Sequence, residues 1–554
     1  MLPVLALAAA AFIVGIVVGA SYVPGEQRVV QRFANAWRRG DYAGMWAQLT
    51  ADQQKAVSAG TLAEAYGIAR DTATVRSYSI GKPRKESGHT WSLPVVAHTT
   101  AFGDVSGRVV LPLEGSGDKA RIRWTANVTF PGVPPGTRLE RRTTLPKRAG
   151  LLARDNRTIE EALGTYASSI VGELGPIPSD QLADFRAAGY PDDAQVGISG
   201  LQKVFERQLA GTPGGQLLAG GKVLASSAPR AASPVRTTIS APLQQDAVNA
   251  LAGRLGGVVV MEPRTGQILA VAGIAFSGLQ PPGSTFKMVT LSAVLQDGIA
   301  GPNSTFPYAT SALLSGVPLG NANGESCGGT LVQAFATSCN SVFAPLGAKL
   351  GANRLVAMAE RYGFNSPPTI TGAATSTIPP ANSLGDDLAV GSSAIGQGRV
   401  QATVLQMTSI AATIGLEGRR PLPTLLYRPG DRARLGPRAT SAHVAHLVRS
   451  MMVEVVRRGT GVAAAIPGVV VAGKTGTAEL RSTQPCTPTA DNPESCKDQQ
   501  TNPNDTTDTD AWFASFAPAR DPKVAVGVLL VSAGAGGDTA APVARTLLEA
   551  ALRR

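Results

Sequence analysis

Three short polar motifs in the second half of the chain most constrain its fold, because each adjoins an apolar segment. Ser-x-x-Lys at residues 284–287 follows a Pro-Pro-Gly loop and opens a predicted helix. The apolar stripe of that helix continues through Val289, Leu291, Val294 and Leu295. Ser-x-Asn at residues 338–340 begins a second apolar helix, and Lys-Thr-Gly-Thr at residues 474–477 lies on a predicted strand.

The first motif has the spacing that nucleophilic catalysis requires. Residues i and i+3 share a helix face, so Ser284 and Lys287 are expected to lie side by side. A serine needs a neighbouring base, and a lysine can be that base when its pKa is depressed, whereas arginine stays protonated. The chain has 12 Lys against 39 Arg, so a lysine in a motif is informative. The pattern alone is weak, since Ser79 and Lys82 match it too.

The order of the three motifs is much more specific. Ser338 comes 54 residues after Ser284, and Lys474 comes 136 residues after Ser338. Strand alternation predicts that Lys474 and Gly476 point one way and that Thr475 and Thr477 point the other. Ser-x-x-Lys, Ser-x-Asn and Lys-Thr-Gly in this order form the signature of penicillin-binding proteins and serine β-lactamases.

The chain therefore resembles a class B penicillin-binding protein, a monofunctional peptidoglycan D,D-transpeptidase, over most of its length. Thr265-Gly266, Gly396-Gln397-Gly398 and Trp512-Phe513 add to the likeness of the C-terminal part. Residues 200–202 and 209–211 resemble the pedestal of the family. Residues 148–155 resemble another sequence motif of the family but carry an extra alanine, Ala149, between Arg148 and Gly150. Residues 25–135 resemble the NTF2-like N-terminal domain of relatives of the methicillin-resistance transpeptidase.

The resemblance implies an α+β multidomain protein. The expected parts are a transmembrane anchor at residues 1–24, an NTF2-like domain at 25–136 and a pedestal or dimerisation-like domain with linker at 137–235. Residues 236–554 would form the penicillin-binding transpeptidase domain, similar to serine β-lactamases, with a central antiparallel sheet flanked by helices.

Residue patterns predict local structure in the N-terminal half. An apolar stripe at helical spacing comprises Val30, Phe33, Ala34 and Trp37, and a second comprises Tyr42, Met45, Trp46 and Leu49. Thr50 and Gln53 could form a capping box. Alternation from Ile122 to Phe130 predicts a half-buried strand. Glycine pairs at 214–215 and 220–221 are expected to flank a hairpin, with a loop at 225–233.

A further unit is predicted to start at residue 237. Residues 243–251 read as a helix, and residues 258–261 and 268–271 read as two strands joined by a turn at 263–266.

The segment from Leu2 to Val23 has no charged residue and is long enough to cross a bilayer. It lacks the basic leader of a signal peptide, which favours an uncleaved anchor. The nearest basic residues, Arg28, Arg32, Arg38 and Arg39, follow it, so the positive-inside rule alone would place the body in the cytoplasm. The resemblance instead implies a single-pass protein of the cell membrane with an extracytoplasmic body.

The resemblance also implies roles for the motif residues. Ser284 would attack the penultimate D-Ala carbonyl after losing its proton to Lys287. Ser338 would relay a proton to the leaving D-Ala, and Asn340 would bind the substrate amide and steady Lys287. Lys474 would supply positive charge, and the hydroxyl of Thr475 or Thr477 would bind the terminal carboxylate. The backbone N–H groups of Ser284 and Thr477 would form the oxyanion hole.

Several other functions fit the sequence less well. The net charge of +12 is scattered, and its densest basic group, at residues 138–157, has no interleaved aromatics, which argues against nucleic-acid binding. The mechanism that the resemblance implies needs no metal or organic cofactor, and His443 and His446 have no Cys or carboxylate at ligand spacing, which argues against a zinc site. The alternatives are a β-lactam-binding, non-catalytic scaffold of a cell-wall synthesis complex and a penicillin-hydrolysing or β-lactam-sensing relative. The family implies a SEDS-family glycosyltransferase as partner.

Four cysteines are candidates for disulfides, because the implied location is oxidising. Cys486 and Cys496 lie in a polar run between the strands of Lys474 and Trp512, and a bridge there would shape one rim of the substrate cleft. Non-reducing peptide mapping would test it. For Cys327 and Cys339, a bridge and two buried thiols are both compatible with the sequence.

Overall fold

The fold is taken from a computed structural model, which describes residues 23–429, 433–479 and 509–553. All but the last residue of the predicted membrane segment lie outside these ranges. Among the described residues, no helix has the length and apolar character needed to span a bilayer.

The α-helices of the described residues are numbered in chain order as follows: α1 Gly25–Arg39, α2 Tyr42–Trp46, α3 Ala51–Ala56, α4 Ala59–Thr72, α5 Ile159–Leu163, α6 Ser168–Val171, α7 Leu182–Ala187, α8 Gly200–Val204, α9 Glu206–Leu209, α10 Ala241–Leu251, α11 Lys287–Gln296, α12 Leu331–Ala336, α13 Asn340–Leu350, α14 Ala352–Tyr362, α15 Asp387–Ala394, α16 Val404–Gly415, α17 Ala442–Arg458 and α18 Ala540–Leu552.

The β-strands are numbered in the same way: β1 Val75–Ile80, β2 Arg84–Lys85, β3 Thr90–Thr99, β4 Asp104–Glu114, β5 Arg121–Ile122, β6 Leu139–Thr144, β7 Leu151–Leu152, β8 Leu174–Pro176, β9 Gln195–Gly197, β10 Gly214–Ala219, β11 Lys222–Ser227, β12 Val235–Arg236, β13 Gly256–Glu262, β14 Gln267–Gly273, β15 Thr305–Ala309, β16 Ser311–Leu314, β17 Val317–Gly320, β18 Cys327–Thr330, β19 Arg419–Pro421, β20 Leu435–Arg438, β21 Ala472–Glu479, β22 Thr509–Ala517 and β23 Val524–Leu530.

The chain forms two compact units, and it passes between them more than once. The first unit contains the described residues up to Ala149, then Leu174–Ile198 and Glu206–Ser233. The second contains Gly150–Glu173, Ser199–Phe205 and the described residues from Pro234 onward.

In the first unit, helices pack on an antiparallel sheet of order β1-β3-β4-β5, with β2 paired to β3. The apolar stripe predicted for α1 is confirmed, because Val30, Phe33, Ala34 and Trp37 are all buried in one core cluster with strand residues such as Leu93. Burial of this stripe stabilises α1, since an isolated helix of this length is marginal in water.

The strand predicted from Ile122 to Phe130 is wrong. The strand β5 ends at Ile122, and Ala126–Thr129 forms a 3-10 turn. The Thr129 hydroxyl donates to the Ala126 carbonyl at 2.7 Å, which closes this turn locally. Val128 and Phe130 are buried, but they lie in and directly after this 3-10 turn rather than on one face of a strand.

The capping box predicted for Thr50 and Gln53 is also wrong. Thr50 precedes α3, but its side chain makes no capping hydrogen bond. The side chain of Gln53 instead accepts a hydrogen bond from the N–H of Trp124 at 2.6 Å. A long-range contact with the segment after β5 thus replaces the local cap.

The glycine-bounded hairpin is present as β10 and β11, and residues 220–221 form its turn rather than a flank. Both glycines have positive φ values, +54° and +79°, as a tight two-residue hairpin turn requires. The expected loop at 225–233 begins later than predicted, because β11 continues to Ser227.

The second unit is built around a five-stranded antiparallel sheet of order β14-β13-β23-β22-β21. On one face, α10 and α18 bury Leu243, Ala247, Leu547 and Leu548 against strand residues. The other face is covered in part by α16, which approaches so closely that a Cβ on Gly527 would lie 2.0 Å from the Thr408 hydroxyl oxygen. Because both faces are covered, every residue of β23 is buried. The predicted helix and the first two strands of this unit are confirmed as α10, β13 and β14.

Candidate active site

Ser284 lies in a 3-10 turn, Gly283–Phe286, that leads directly into α11. Gly283 has φ +51°, and a Cβ added to it would lie 2.7 Å from the carbonyl oxygen of Thr477 on β21. Glycine permits both this conformation and this close approach. The turn therefore holds the half-exposed Ser284 side chain beside the outer strand of the sheet.

Lys287 is the first residue of α11, and its side chain is fully buried. Its Nζ atom lies 3.0 Å from Ser284 Oγ. Nζ also lies 2.6 Å from the Ser338 carbonyl oxygen and 2.7 Å from Asn340 Oδ1. Burial holds the pKa of Lys287 well below its usual value, and the charge of Lys474 lowers this pKa further. The amine is thus suited to be neutral and to accept a proton.

Ser338 occupies the junction between α12 and α13. Its φ of +64° is a left-handed conformation that is uncommon for serine. This junction directs the Ser338 carbonyl towards Lys287, and the residue as a whole is half-buried. Asn340 starts α13, and its Nδ2 donates to the Gly320 carbonyl at 2.9 Å.

Lys474 approaches the same hydroxyl from β21. Its Nζ donates to Ser338 Oγ at 2.7 Å and to the Thr475 carbonyl at 3.1 Å. The side chain is fully buried, and this burial lowers the pKa of Lys474 to about 7. Ser338 Oγ also lies 3.4 Å from Lys287 Nζ, so one hydroxyl connects the two amines.

The rest of the third motif follows the predicted alternation. Gly476 faces the Ser284 turn, and a Cβ there would lie 2.8 Å from the Pro282 carbonyl oxygen. The Thr475 hydroxyl, on the other side, is 2.5 Å from the hydroxyl of Thr460. The Thr477 hydroxyl accepts a long hydrogen bond, 3.4 Å, from the N–H of Gly536.

The structure thus gathers the five proposed catalytic side chains into one hydrogen-bonded cluster, although they come from three distant segments. Its two lysines have no carboxylate partner among the ion pairs of the described residues. Lys474, which also has no such partner, therefore remains available to an anionic ligand such as a carboxylate.

Cys327 and Cys339 form a disulfide, which joins β18 to the middle residue of the second motif. Of the two possibilities for this pair, the structure thus contains the bridge. Cys486 and Cys496 lie outside the described residues, so the proposed rim bridge stays a prediction.

Two residues that contact the site were missed in the sequence. Thr460 contacts Thr475 from the Gly-Thr-Gly segment that follows α17, and this glycine-flanked threonine was a usable signal. Asn321 lies next to Gly320 and bonds the start of α13. No spacing rule connects Asn321 to the motifs, so only the folded chain identifies it.

Two models of known protein families match this chain, and one of them covers the part that contains the site. The model of the penicillin-binding protein transpeptidase domain matches residues 256–549. The model of the penicillin-binding protein dimerisation domain matches residues 128–230.

Individual relatives extend this similarity. The peptidoglycan D,D-transpeptidase PbpA of Mycolicibacterium smegmatis is 35% identical over 382 residues, which cover 58% of this chain and 72% of that protein. The structure of the D,D-transpeptidase domain of a peptidoglycan glycosyltransferase from Eggerthella lenta aligns with a TM-score of 0.56 at 28% identity. The aligned region covers 73% of this chain and 98% of that structure's chain. The penicillin G acyl-enzyme complex of penicillin-binding protein A from M. tuberculosis aligns with a TM-score of 0.54 at 27% identity. The aligned region covers 73% of this chain and 99% of that structure's chain.

Proposed function

Because this chain belongs to the penicillin-binding protein transpeptidase family, we propose that the cluster around Lys287 is the catalytic centre of its peptidoglycan D,D-transpeptidation. The protein is a serine-type peptidoglycan D,D-transpeptidase with a dimerisation or pedestal domain before its transpeptidase domain. β-Lactams form acyl-enzymes with proteins of this type, as in the penicillin G complex of the M. tuberculosis relative.

The observation that carries this assignment is the set of hydrogen bonds at Lys287. A neutral amine has two N–H groups and one lone pair. The carbonyl oxygens of Ser338 and Asn340 can only accept, so they engage the two N–H groups. The lone pair is then left for the hydroxyl of Ser284, 3.0 Å away. Lys287 therefore acts as the general base for Ser284.

Acylation then proceeds in two bond changes. Ser284 Oγ attacks the carbonyl carbon of the penultimate D-Ala as its proton moves to Lys287 Nζ. The amide C–N bond next breaks, and the terminal D-Ala leaves as an amine after receiving a proton through Ser338. The contact of Ser338 Oγ with Lys474, at 2.7 Å, and with Lys287 supports this relay.

Substrate binding is assigned to the third motif. Lys474 supplies positive charge, and the hydroxyls of Thr475 or Thr477 bind the terminal carboxylate of the stem peptide. Thr475 is only 4% exposed, whereas Thr460 is exposed, and the two hydroxyls lie 2.5 Å apart. Thr460 is therefore assigned a supporting role. The Thr460 hydroxyl can donate to Thr475 and orient the latter's proton outward.

The N–H groups of Ser284 and Thr477 are proposed to form the oxyanion hole. The close packing of Gly283 on the backbone of Thr477 supports their juxtaposition. Loss of one such donor commonly costs about 2.7–4 kcal/mol of transition-state stabilisation. In the second half-reaction, an amine of another stem attacks the ester carbonyl, and Ser284 Oγ leaves and regains its proton.

Incubation of the intact protein with penicillin G, followed by intact mass, tests the function. We expect one stable adduct and, with a D-Ala-D-Ala stem peptide and an amine acceptor, a cross-linked product with release of one D-Ala. Rapid return of the unmodified mass with penicillin hydrolysis would favour the hydrolase alternative. A stable penicillin adduct without any cross-linked product would favour the β-lactam-binding, non-catalytic scaffold, and an unmodified protein would overturn the proposed function.

We further propose an NTF2-like domain at residues 25–136 and a pedestal and linker at 137–235, ahead of the transpeptidase domain at 236–554. The helices packed on the sheet of β1 to β5 and the dimerisation-domain match at 128–230 support this division. Limited proteolysis is expected to cut first near residues 136 and 236. First cleavage inside 25–136 would contradict it.

At the membrane, we propose a single-pass anchor at residues 1–24, an extracytoplasmic body and a SEDS-family glycosyltransferase partner. The charge-free segment and the family's action on the cell wall support this placement. Protease added to spheroplasts should degrade the body, and its protection would overturn the orientation. Crosslinking in membranes should recover the polytopic partner with the full chain, and recovery of the chain alone would contradict the partnership.

A further inference from the structure

Asn321 holds the end of a hairpin against the start of α13. Its Nδ2 donates to the carbonyl oxygens of Ala309 and Glu325, both at 2.8 Å. Its Oδ1 accepts from the N–H of Ser341 at 2.8 Å. Nδ2 also lies 3.1 Å from the Ser341 hydroxyl. The amide orientation is fixed by this network, because a flip would place N–H against N–H at Ser341 and oxygen against two carbonyls.

The residue before Asn321 makes the contact that matters for catalysis. The carbonyl of Gly320, the last residue of β17, accepts from Asn340 Nδ2 at 2.9 Å. With Nδ2 engaged there, Asn340 presents Oδ1 to Lys287 Nζ at 2.7 Å. A displaced Gly320 would leave Asn340 free to flip, and its NH2 group would then face the amine of Lys287.

The orientation of Asn340 decides where the lone pair of Lys287 points. With Oδ1 facing Lys287, the two N–H groups of the neutral amine have carbonyl acceptors, and the lone pair faces Ser284 Oγ. If Asn340 flipped, one N–H would lose its acceptor and the lone pair could turn to the asparagine donor. Proton transfer from Ser284 would then compete with a non-productive hydrogen bond.

We propose that Asn321 is a positioning residue for the transpeptidation: it fixes the Gly320 carbonyl against Asn340 and so aims the lone pair of Lys287 at Ser284. This inference rests on the proposed role of Lys287 as general base. The side chain of Asn321 bonds Ala309, Glu325 and Ser341 rather than Ser284 or Lys287. It acts through the successive hydrogen bonds Gly320–Asn340, Asn340–Lys287 and Lys287–Ser284.

Asn321→Ala and Asn321→Asp test the proposal in the full chain. Asp keeps the acceptor for the Ser341 N–H and therefore the support of α13, but it cannot donate to the two carbonyls. We expect both variants to lose about tenfold in the acylation rate constant with penicillin G, the size of effect typical of one hydrogen bond, while the dissociation constant of the precovalent complex stays unchanged. Asn353→Ala, at an exposed position in α14, is the control and should match wild type.

A pH profile adds a readout that a merely structural role would not move. An acceptor oxygen favours the ammonium form of Lys287, so its loss should lower the pKa of Lys287 further, and the acid limb of the acylation profile should move to lower pH. Lys474 is the charged group beside Lys287, and it is unchanged in these variants.

Three results separate the possible failures. Wild-type acylation rates in Asn321→Asp would show that the two donors are dispensable and would overturn the proposal. A lower rate with equally weakened precovalent binding and an unmoved acid limb would show a structural role only and would also overturn it. Acylation of Ser284→Ala would instead overturn the proposed function. Should Asn321→Ala fail to fold, Asn321→Asp, which keeps the helix support, carries the test.

Discussion

The Ser-x-x-Lys pattern occurs in both units, and the two occurrences have opposite structures. In the second unit, Ser284 lies in the 3-10 turn that leads into the buried helix α11, Lys287 is the first residue of that helix, and the two side chains hydrogen-bond at 3.0 Å. In the first unit, Ser79 lies on the strand β1, and Lys82 follows the strand on the exposed surface. Residues i and i+3 share a face on a helix but lie on opposite faces of a strand. The spacing is therefore meaningful only after the local structure is known.

Burial separates the two regions as strongly as geometry. Ser79 has a histidine neighbour: its Oγ is 2.8 Å from His98 Nε2, and His98 Nδ1 is 2.7 Å from Asp104 Oδ1. This chain of hydrogen bonds resembles the relay of serine hydrolases, but the Asp104 side chain is 65% exposed. Water weakens charge interactions at such a site. Next to Ser284, by contrast, Lys287 is fully buried.

The largest expected difference between the two regions concerns acylation. Ser284→Ala should abolish the penicillin adduct, because the attacking oxygen is gone, while Ser79→Ala should be acylated at the wild-type rate. Intact mass and peptide mapping after incubation with penicillin G measure both. An adduct on Ser79, or on Ser284→Ala, would break the comparison.

The second expected difference concerns Lys287 and Lys82, the lysines of the two occurrences of the pattern. Lys287→Arg replaces the amine proposed as the base with a guanidinium that stays protonated, and we expect acylation to fall by about 10²–10⁴-fold. Lys82→Arg is the matched control on the exposed surface and should acylate normally. Stopped-flow or mass-based acylation kinetics measure both, and retained labelling of Lys287→Arg would identify another group as the base.

A smaller effect follows from the buried Lys474. Its pKa is about 7 in the folded state and near its usual value when unfolded, so between these values the unfolded chain binds more protons and stability rises with pH. Lys474→Met should reduce this rise by up to about 1.4 kcal/mol per pH unit above pH 7. Lys82→Met should leave it unchanged. Urea unfolding of the intact protein from pH 6 to 9 measures both slopes, and equal slopes in wild type and Lys474→Met would contradict the depressed pKa.

The smallest effect is expected at the exposed serine. Ser79→Ala removes one surface hydrogen bond with His98, and the free energy of unfolding should change by less than about 0.5 kcal/mol. Denaturant unfolding provides the measurement. A loss above about 2 kcal/mol would show that the exposed hydrogen-bond chain supports the first unit in a way that its exposure does not suggest.

Much of the fold could be predicted where the local pattern and the packing agree. The helix α1 and the helix α10 were correctly predicted, because one apolar face of each is buried. The strand predicted from Ile122 to Phe130 failed, because alternation cannot reveal that a 3-10 turn folds the chain back after Ile122. The cap predicted at Thr50 failed because Gln53 found a distant backbone partner.

The sequence by itself determined the order of the three motifs, the shared helix face of Ser284 and Lys287, and the opposite faces of Lys474 and Thr475. These features depend only on the periods of helix and strand, which are local. Tertiary structure alone decided that both lysines are desolvated, that the Ser338 hydroxyl lies between them, and that Asn321 bonds the start of α13 beside the Gly320–Asn340 contact. Burial and hydrogen bonding between distant segments set a pKa and the direction of a lone pair, and no local pattern encodes them.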